Sequence, residues 1–132
     1  MAERILVVDD EEVFSEILTT MLRKAGYECQ TAASGMEALA LLRSGEQFDL
    51  ISSDIAMAEM DGPALLEHVK AEFPAVPLVF ASSIADPEFI QMSRNMGASD
   101  YLVLPCDAAS YVAMIRKALD RHRNENHARG PS

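Results

Sequence analysis

ILVVDDEE, residues 5–12, joins a continuous apolar run to four consecutive carboxylates. An unbroken apolar run is typical of a central parallel strand buried on both faces, because a half-exposed strand would alternate apolar and polar residues. The carboxylates follow directly, at the carboxyl end of the strand, which is the edge where open α/β sheets bind ligands. The stretch therefore predicts an α/β fold with a functional edge beyond its first strand.

The rest of the chain repeats this strand-then-helix pattern. Apolar, β-prone runs at 5–8, 27–32, 48–53, 77–81 and 101–104 alternate with five stretches of helical periodicity. This alternation predicts one parallel sheet covered by helices on both faces.

Local signals mark the helices within this pattern. The first carries an apolar stripe at helical spacing, formed by Val13, Ile17, Leu18, Met21 and Leu22. Three later helices begin at capping residues, because side-chain oxygens there can accept from the first free backbone N–H groups. These caps are Ser34, Asp86 and Asp107.

Length and composition indicate a single globular domain. The chain has 132 residues, 49% of them hydrophobic and 24% charged, and one domain of this size buries a substantial core. Helical periodicity fades after Leu119, so we expect a domain over 1–120 and a frayed basic tail over 121–132. No apolar run is long enough for a spanning helix or a secretory signal, which predicts a cytoplasmic protein without a membrane partner.

Charge is unevenly distributed along the chain. Residues 1–115 hold 19 of the 21 acidic side chains and six of the 11 basic ones. So acidic a body repels phosphate backbones, which disfavours nucleic-acid binding by the domain. Cations and basic surfaces are its expected partners.

The candidate site residues are those that follow the strands directly. Asp9 and Asp10 follow the first strand, Asp54 the third, Ser82 the fourth, and Leu104 ends the fifth. Three converging carboxylates repel one another and raise their pKa values unless a cation compensates, and Mg²⁺ prefers such oxygen ligands. Singly, each carboxylate could equally be a helix cap or a loop residue; their joint placement favours a site.

Three stretches resemble the response-regulator receiver domains, the CheY-like family. They are residues 5–11, residues 54–62, and residues 97–101 continued by Leu104-Pro105. The resemblance covers roughly residues 3–120. It implies a (βα)5 flavodoxin-like, doubly wound domain with strand order 2-1-3-4-5.

The resemblance also implies roles for individual residues. Asp54 would accept a phosphoryl group from a histidine kinase or histidine phosphotransfer protein. Asp10, Asp54 and the Ala56 carbonyl would hold Mg²⁺, with Asp9 acting through a water. Ser82 would turn toward the phosphoryl oxygens, and Tyr101 would be the aromatic switch.

Such a domain is a signalling phospho-acceptor rather than an enzyme, catalysing at most its own phosphoryl transfer and dephosphorylation. Its partner-binding face would be formed by helix four, strand five and helix five.

Position 104 departs from the family pattern. The family has a lysine there, followed by a proline with a cis peptide bond. This chain has Leu104 in place of the lysine but keeps Pro105, so the resemblance predicts a cis Leu104-Pro105 bond. Loss of such a donor costs about 100- to 1,000-fold in rate elsewhere. Leu104 therefore keeps one alternative open, a pseudo-receiver, meaning a protein-interaction module that is not efficiently phosphorylated. An enzyme acting on a diffusible substrate is a third, separate alternative.

Overall fold

Strands and helices alternate along the whole domain. A computed structural model of the chain describes residues 2–128, and the side chains of residues 2–125. The strands are β1 (Arg4–Val8), β2 (Glu28–Ala32), β3 (Leu50–Ser53), β4 (Leu78–Ser82) and β5 (Asp100–Val103). The helices are α1 (Glu12–Lys24), α2 (Gly35–Arg43), α3 (Gly62–Glu72), α4 (Pro87–Asn95) and α5 (Ala108–Ala128).

The five strands form one parallel sheet in the order β2-β1-β3-β4-β5. This order confirms the predicted flavodoxin-like fold. In the register of the two central strands, Val8 lies opposite Ser53. Asp9 and Asp54 therefore leave the sheet side by side.

Each face of the sheet is covered by its own apolar cluster. The cluster shared with α2 and α3 includes Leu6, Ile51, Leu65 and Phe80. The cluster shared with α1 and α5 includes Ile5, Leu50, Leu22, Tyr111 and Ile115. Because both faces are buried, the central strands can be apolar throughout, as the run 5–8 indicated.

The rotation of α1 differs from the one expected from its apolar stripe. Leu18 and Leu22 are buried, but Val13 and Ile17 are 68% and 45% exposed. Ser15 and Thr19 take the buried positions instead. The apolar stripe of α1 is therefore only partly buried, and Val13 and Ile17 lie on the exposed side of the helix.

Side-chain caps begin the helices where the sequence predicts them. Backbone N–H groups donate to Ser34 at α2, to Asp86 at α4 and to Asp107 at α5. Asp61 caps α3 in the same way, immediately before Gly62 and Pro63.

Helix α5 continues beyond the expected end of the domain. Residues 121–128 are helical, and residues 129–132 of the expected tail lie outside the described residues. Arg121 donates to the Ser99 carbonyl at 2.8 Å, and Arg123 pairs with Glu3. These contacts tie the extra turns to the domain. Within residues 2–128, no helix is both long and apolar enough to cross a membrane.

Candidate functional site

Three carboxylates meet at the carboxyl edge of the sheet. One oxygen from each of Asp9, Asp10 and Asp54 lies within 4.8 Å of the others. Pairing continues past the strands, since the Asp54 N–H donates to the Val8 carbonyl at 2.8 Å and the Asp9 N–H to Ala32 at 3.1 Å. The backbone ladder thus holds two of these carboxylates at fixed positions.

Burial governs the protonation of this carboxylate cluster. Asp9 is only 5% exposed, and burial raises its pKa from 3.8 to about 6, against the lowering effect of the Glu11 N–H bond. Burial likewise raises the pKa of Asp54, while the Ile55 N–H, donating at 2.7 Å, and the Ser82 hydroxyl lower it. The negative charge of Asp10 raises the pKa of both. A bound cation would relieve these costs.

The donor set matches a hard divalent cation. Carboxylate oxygens are the ligands that Mg²⁺ takes, and the close approach of three of them supplies the charge that holds it. Ala56 lies in the exposed loop after Asp54, between β3 and α3. The residues present therefore fit Mg²⁺.

Ser82 lies beside Asp54, and Ser82 and Tyr101 both bond to the backbone of Ile84. Ser82 is buried at the end of β4, and its Oγ accepts from the Ile84 N–H at 3.2 Å. The buried Tyr101 hydroxyl donates to the Ile84 carbonyl at 2.7 Å. Its ring makes an edge contact with Phe80 at 6.1 Å between centroids. Ile84 thus connects the Ser82 hydroxyl to the Tyr101 ring on β5.

Phe14, Leu104 and Pro105 form the apolar side of the cavity beside the carboxylate cluster, which we call the apolar wall. The Leu104 N–H donates to the Ser82 carbonyl at 2.8 Å, and the Leu104-Pro105 bond is cis, as predicted. The cavity, of about 300 Å³, opens between this wall and the carboxylates. Its lining is Asp9, Glu11, Phe14, Asp54, Ser83, Leu104 and Pro105. Among these seven described residues there is no lysine or arginine to neutralise the carboxylates.

The sequence analysis did not predict one buried pair of hydroxyl groups near the carboxylates. The hydroxyls of Ser52 and Tyr111 are hydrogen-bonded at 2.7 Å. Two consecutive serines near the end of a central strand were the available signal, since a buried hydroxyl needs a partner. The identity of that partner could not be read from the sequence, because Tyr111 lies 59 residues away.

Comparison with known proteins gives a consistent result. The family model for the response regulator receiver domain matches residues 5–116. The transcriptional regulatory protein ZraR of Salmonella typhimurium is 41% identical over 128 residues, which is 97% of this chain and 29% of ZraR. The DNA-binding transcriptional regulator NtrC of the same organism is 34% identical over 123 residues, 93% of this chain and 26% of NtrC. The chain thus spans less than a third of these relatives.

Solved structures resemble the chain over nearly its whole length. A CheY-like receiver domain protein from Methanospirillum hungatei is 30% identical with a TM-score of 0.87, covering 96% of this chain and all of that one. NtrX from Brucella abortus is 29% identical with a TM-score of 0.90, covering 97% of this chain and 29% of NtrX.

Proposed function

The chain belongs to the response regulator receiver family of two-component signal transduction, and we propose that Asp54 is its phospho-acceptor. The supporting observation is the position of the Asp54 carboxylate. It stands at the end of the central strand β3, beside Asp9 and Asp10 and facing an open cavity. A phosphorylated histidine of a kinase or phosphotransfer protein could reach it there.

The transfer exchanges one bond to phosphorus for another. An Asp54 carboxylate oxygen attacks the phosphorus in line with the phosphohistidine P–N bond, giving an acyl phosphate. The departing imidazole nitrogen keeps the electron pair and takes a proton from solvent. Such transfers depend mostly on positioning and on neutralising the phosphoryl oxygens. The Ile55 N–H bond at 2.7 Å orients the carboxylate for this attack.

The cluster would hold Mg²⁺ through Asp10, Asp54 and the Ala56 carbonyl, with Asp9 acting through a water. When bound, the cation would neutralise negative charge on the carboxylates and on the incoming phosphoryl group. Asp9 is held for this role by its bond from the Glu11 N–H at 2.9 Å. Its burial makes the ionised form costly unless a cation is near.

Phosphorylation would be read out through Ser82 and Tyr101. A phosphoryl group on Asp54 would attract the Ser82 hydroxyl, which lies beside it. In the unphosphorylated structure the oxygen of that hydroxyl accepts from the Ile84 N–H. Moving Ser82 disturbs the Ile84 segment that accepts the Tyr101 hydroxyl. The proposed output is a changed face of α4, β5 and α5, offered to a downstream protein. At most, the domain catalyses its own phosphorylation and dephosphorylation.

Incubation with phosphoramidate and Mg²⁺, followed by intact-mass measurement, tests this proposal. The full chain should gain the mass of one phosphoryl group. Asp54→Asn should gain none, whereas Asp120→Asn, which removes an exposed carboxylate on α5, should behave as the wild type. An unmodified wild type that still binds Mg²⁺ would favour a pseudo-receiver, consistent with the apolar wall at Leu104.

A further inference from the structure

The buried Ser52–Tyr111 pair connects the strand β3 to the helix α5. Ser52 lies in β3, two residues before Asp54, and Tyr111 lies in the first turns of α5. Both residues are almost fully buried, at 1% and 0% exposure, and their hydroxyls are 2.7 Å apart. The bond therefore joins the strand that carries the proposed acceptor to a helix of the proposed output face.

Strand alternation places this pair directly below the carboxylates. Side chains two residues apart point to the same face of a strand, so Ser52 and Asp54 share a face. In the adjacent strand Val7 lies opposite Ser52, which puts Asp9 on that face too. Burial raises the pKa of Tyr111, while its bond with the Ser52 hydroxyl lowers it. The pair therefore lies on the same face of the sheet as Asp9 and Asp54, one residue pair below them along β1 and β3.

The surroundings of the pair make its bond hard to break. It lies against the apolar cluster of the α1 and α5 side, where a buried hydroxyl that loses its partner incurs a desolvation penalty. If the end of β3 moves, Tyr111 must follow Ser52. Since Tyr111 is rigidly packed, the first turns of α5 must move with it.

We propose that Tyr111 is a positioning residue of the acidic pocket and that, through Ser52, it couples occupancy of the pocket to the first turns of α5. This route is separate from the one through Ser82 and Tyr101, which reaches the same output face from β5 and α4. The inference rests on the proposed function only in treating Mg²⁺ as an occupant of the pocket.

The three tyrosines of the chain supply a matched set of variants. Tyr111→Phe removes the buried hydroxyl and keeps the ring. Tyr27→Phe does the same in the same apolar cluster, at a position that packs against Arg116 and away from the pocket. Tyr101→Phe removes the hydroxyl of the other route.

The experiment follows amide NMR signals of the full chain during titration with Mg²⁺ alone. In the wild type, amides of residues 108–111 should shift with the same midpoint as the Asp54 amide. Tyr111→Phe should lose most of that α5 shift and bind Mg²⁺ about fivefold more weakly, because coupling between two sites is reciprocal. Tyr27→Phe should match the wild type, and Tyr101→Phe should keep the α5 shift.

Two results would overturn the inference: no Mg²⁺-dependent shift in α5 of the wild type, or equal α5 shifts in Tyr111→Phe and Tyr27→Phe. Should Tyr111→Phe fail to fold, Ser52→Ala breaks the same bond and is held to the same expectations. Failure of the proposed function is visible separately. It appears as an Asp54 that phosphoramidate does not modify, whatever the response of α5 to Mg²⁺.

Discussion

Replacing Asp9 with Asn should stabilise the metal-free protein at neutral pH. Asp9 is 5% exposed and accepts one backbone N–H, from Glu11 at 2.9 Å. The Asn carbonyl oxygen can accept the same bond, so Asp9→Asn removes a buried negative charge at nearly constant shape. The variant therefore isolates the free-energy cost of ionising this side chain inside the folded protein.

The pKa of Asp9 sets the size and sign of the effect. Burial raises it from 3.8 to about 6, so between these values the folded protein holds a proton that the unfolded chain has lost. The free energy of unfolding must therefore fall as pH rises through this window. At about 1.4 kcal/mol per pKa unit, the loss amounts to about 3 kcal/mol by neutral pH.

Urea unfolding followed by far-UV circular dichroism, in EDTA and across this pH window, measures the effect. The difference between wild type and Asp9→Asn should grow with pH to about 3 kcal/mol in favour of the variant. The difference between the two proteins cancels the pH dependence that other groups contribute to both. One such group is Glu72, because its bond to Arg43 lowers its pKa to about 2. Adding Mg²⁺ should narrow the gap by stabilising the wild type.

The exposed carboxylate of Glu67 supplies the control for this measurement. Glu67→Gln should follow the wild type at every pH. A difference in unfolding free energy between wild type and Asp9→Asn that stays constant with pH, or that favours the wild type at neutral pH without metal, would show that ionised Asp9 does not destabilise the fold.

Three further predictions, which use four substitutions, test the rest of the site. Leu104→Lys should accelerate modification of Asp54 by phosphoramidate about 100-fold, because it supplies the missing donor; if intact mass shows both proteins inert while Mg²⁺ binds, the pseudo-receiver is favoured. Ser52→Ala and Tyr111→Phe should each lower the free energy of unfolding, measured in urea, by about 1–3 kcal/mol, because each change leaves one buried hydroxyl without its partner. The double variant should lose less than the sum of the two. Additive losses would mean that the two hydroxyls do not interact. Gly62→Ala should lower the free energy of unfolding by about 1–3 kcal/mol, because the added Cβ would lie 2.6 Å from the Asp54 carbonyl oxygen. An unchanged melting temperature would show that the loop between β3 and α3 moves freely.

Much of the site could be predicted from short stretches of sequence. Asp9 and Asp54 each follow an apolar run, and in a parallel sheet the ends of such runs meet at one edge. The cap at Ser34 was equally readable, because a cap depends on residues within one helical turn. Such features are local, or follow from the topology that the alternation of elements implies.

Contacts between distant elements could not be predicted in this way. The apolar spacing of α1 was compatible with burying Val13 and Ile17, yet both are exposed, since the rotation of a helix depends on the surface it meets. Likewise Ser52 could be recognised as a polar residue in a buried strand, but not as the partner of Tyr111.

Residue type and near-neighbour spacing were enough to predict the alternation of strands and helices and the carboxylates Asp9, Asp10 and Asp54 at the strand ends. Both features are encoded within short stretches of the chain. Three features depend on contacts between distant elements: the buried face of α1, the position of Phe14 beside Leu104 in the apolar wall, and the bond between Ser52 and Tyr111. These features arise from the packing of α1 and α5 on one face of the sheet. Packing depends on the shapes of many side chains at once, and no single stretch of the chain contains that information.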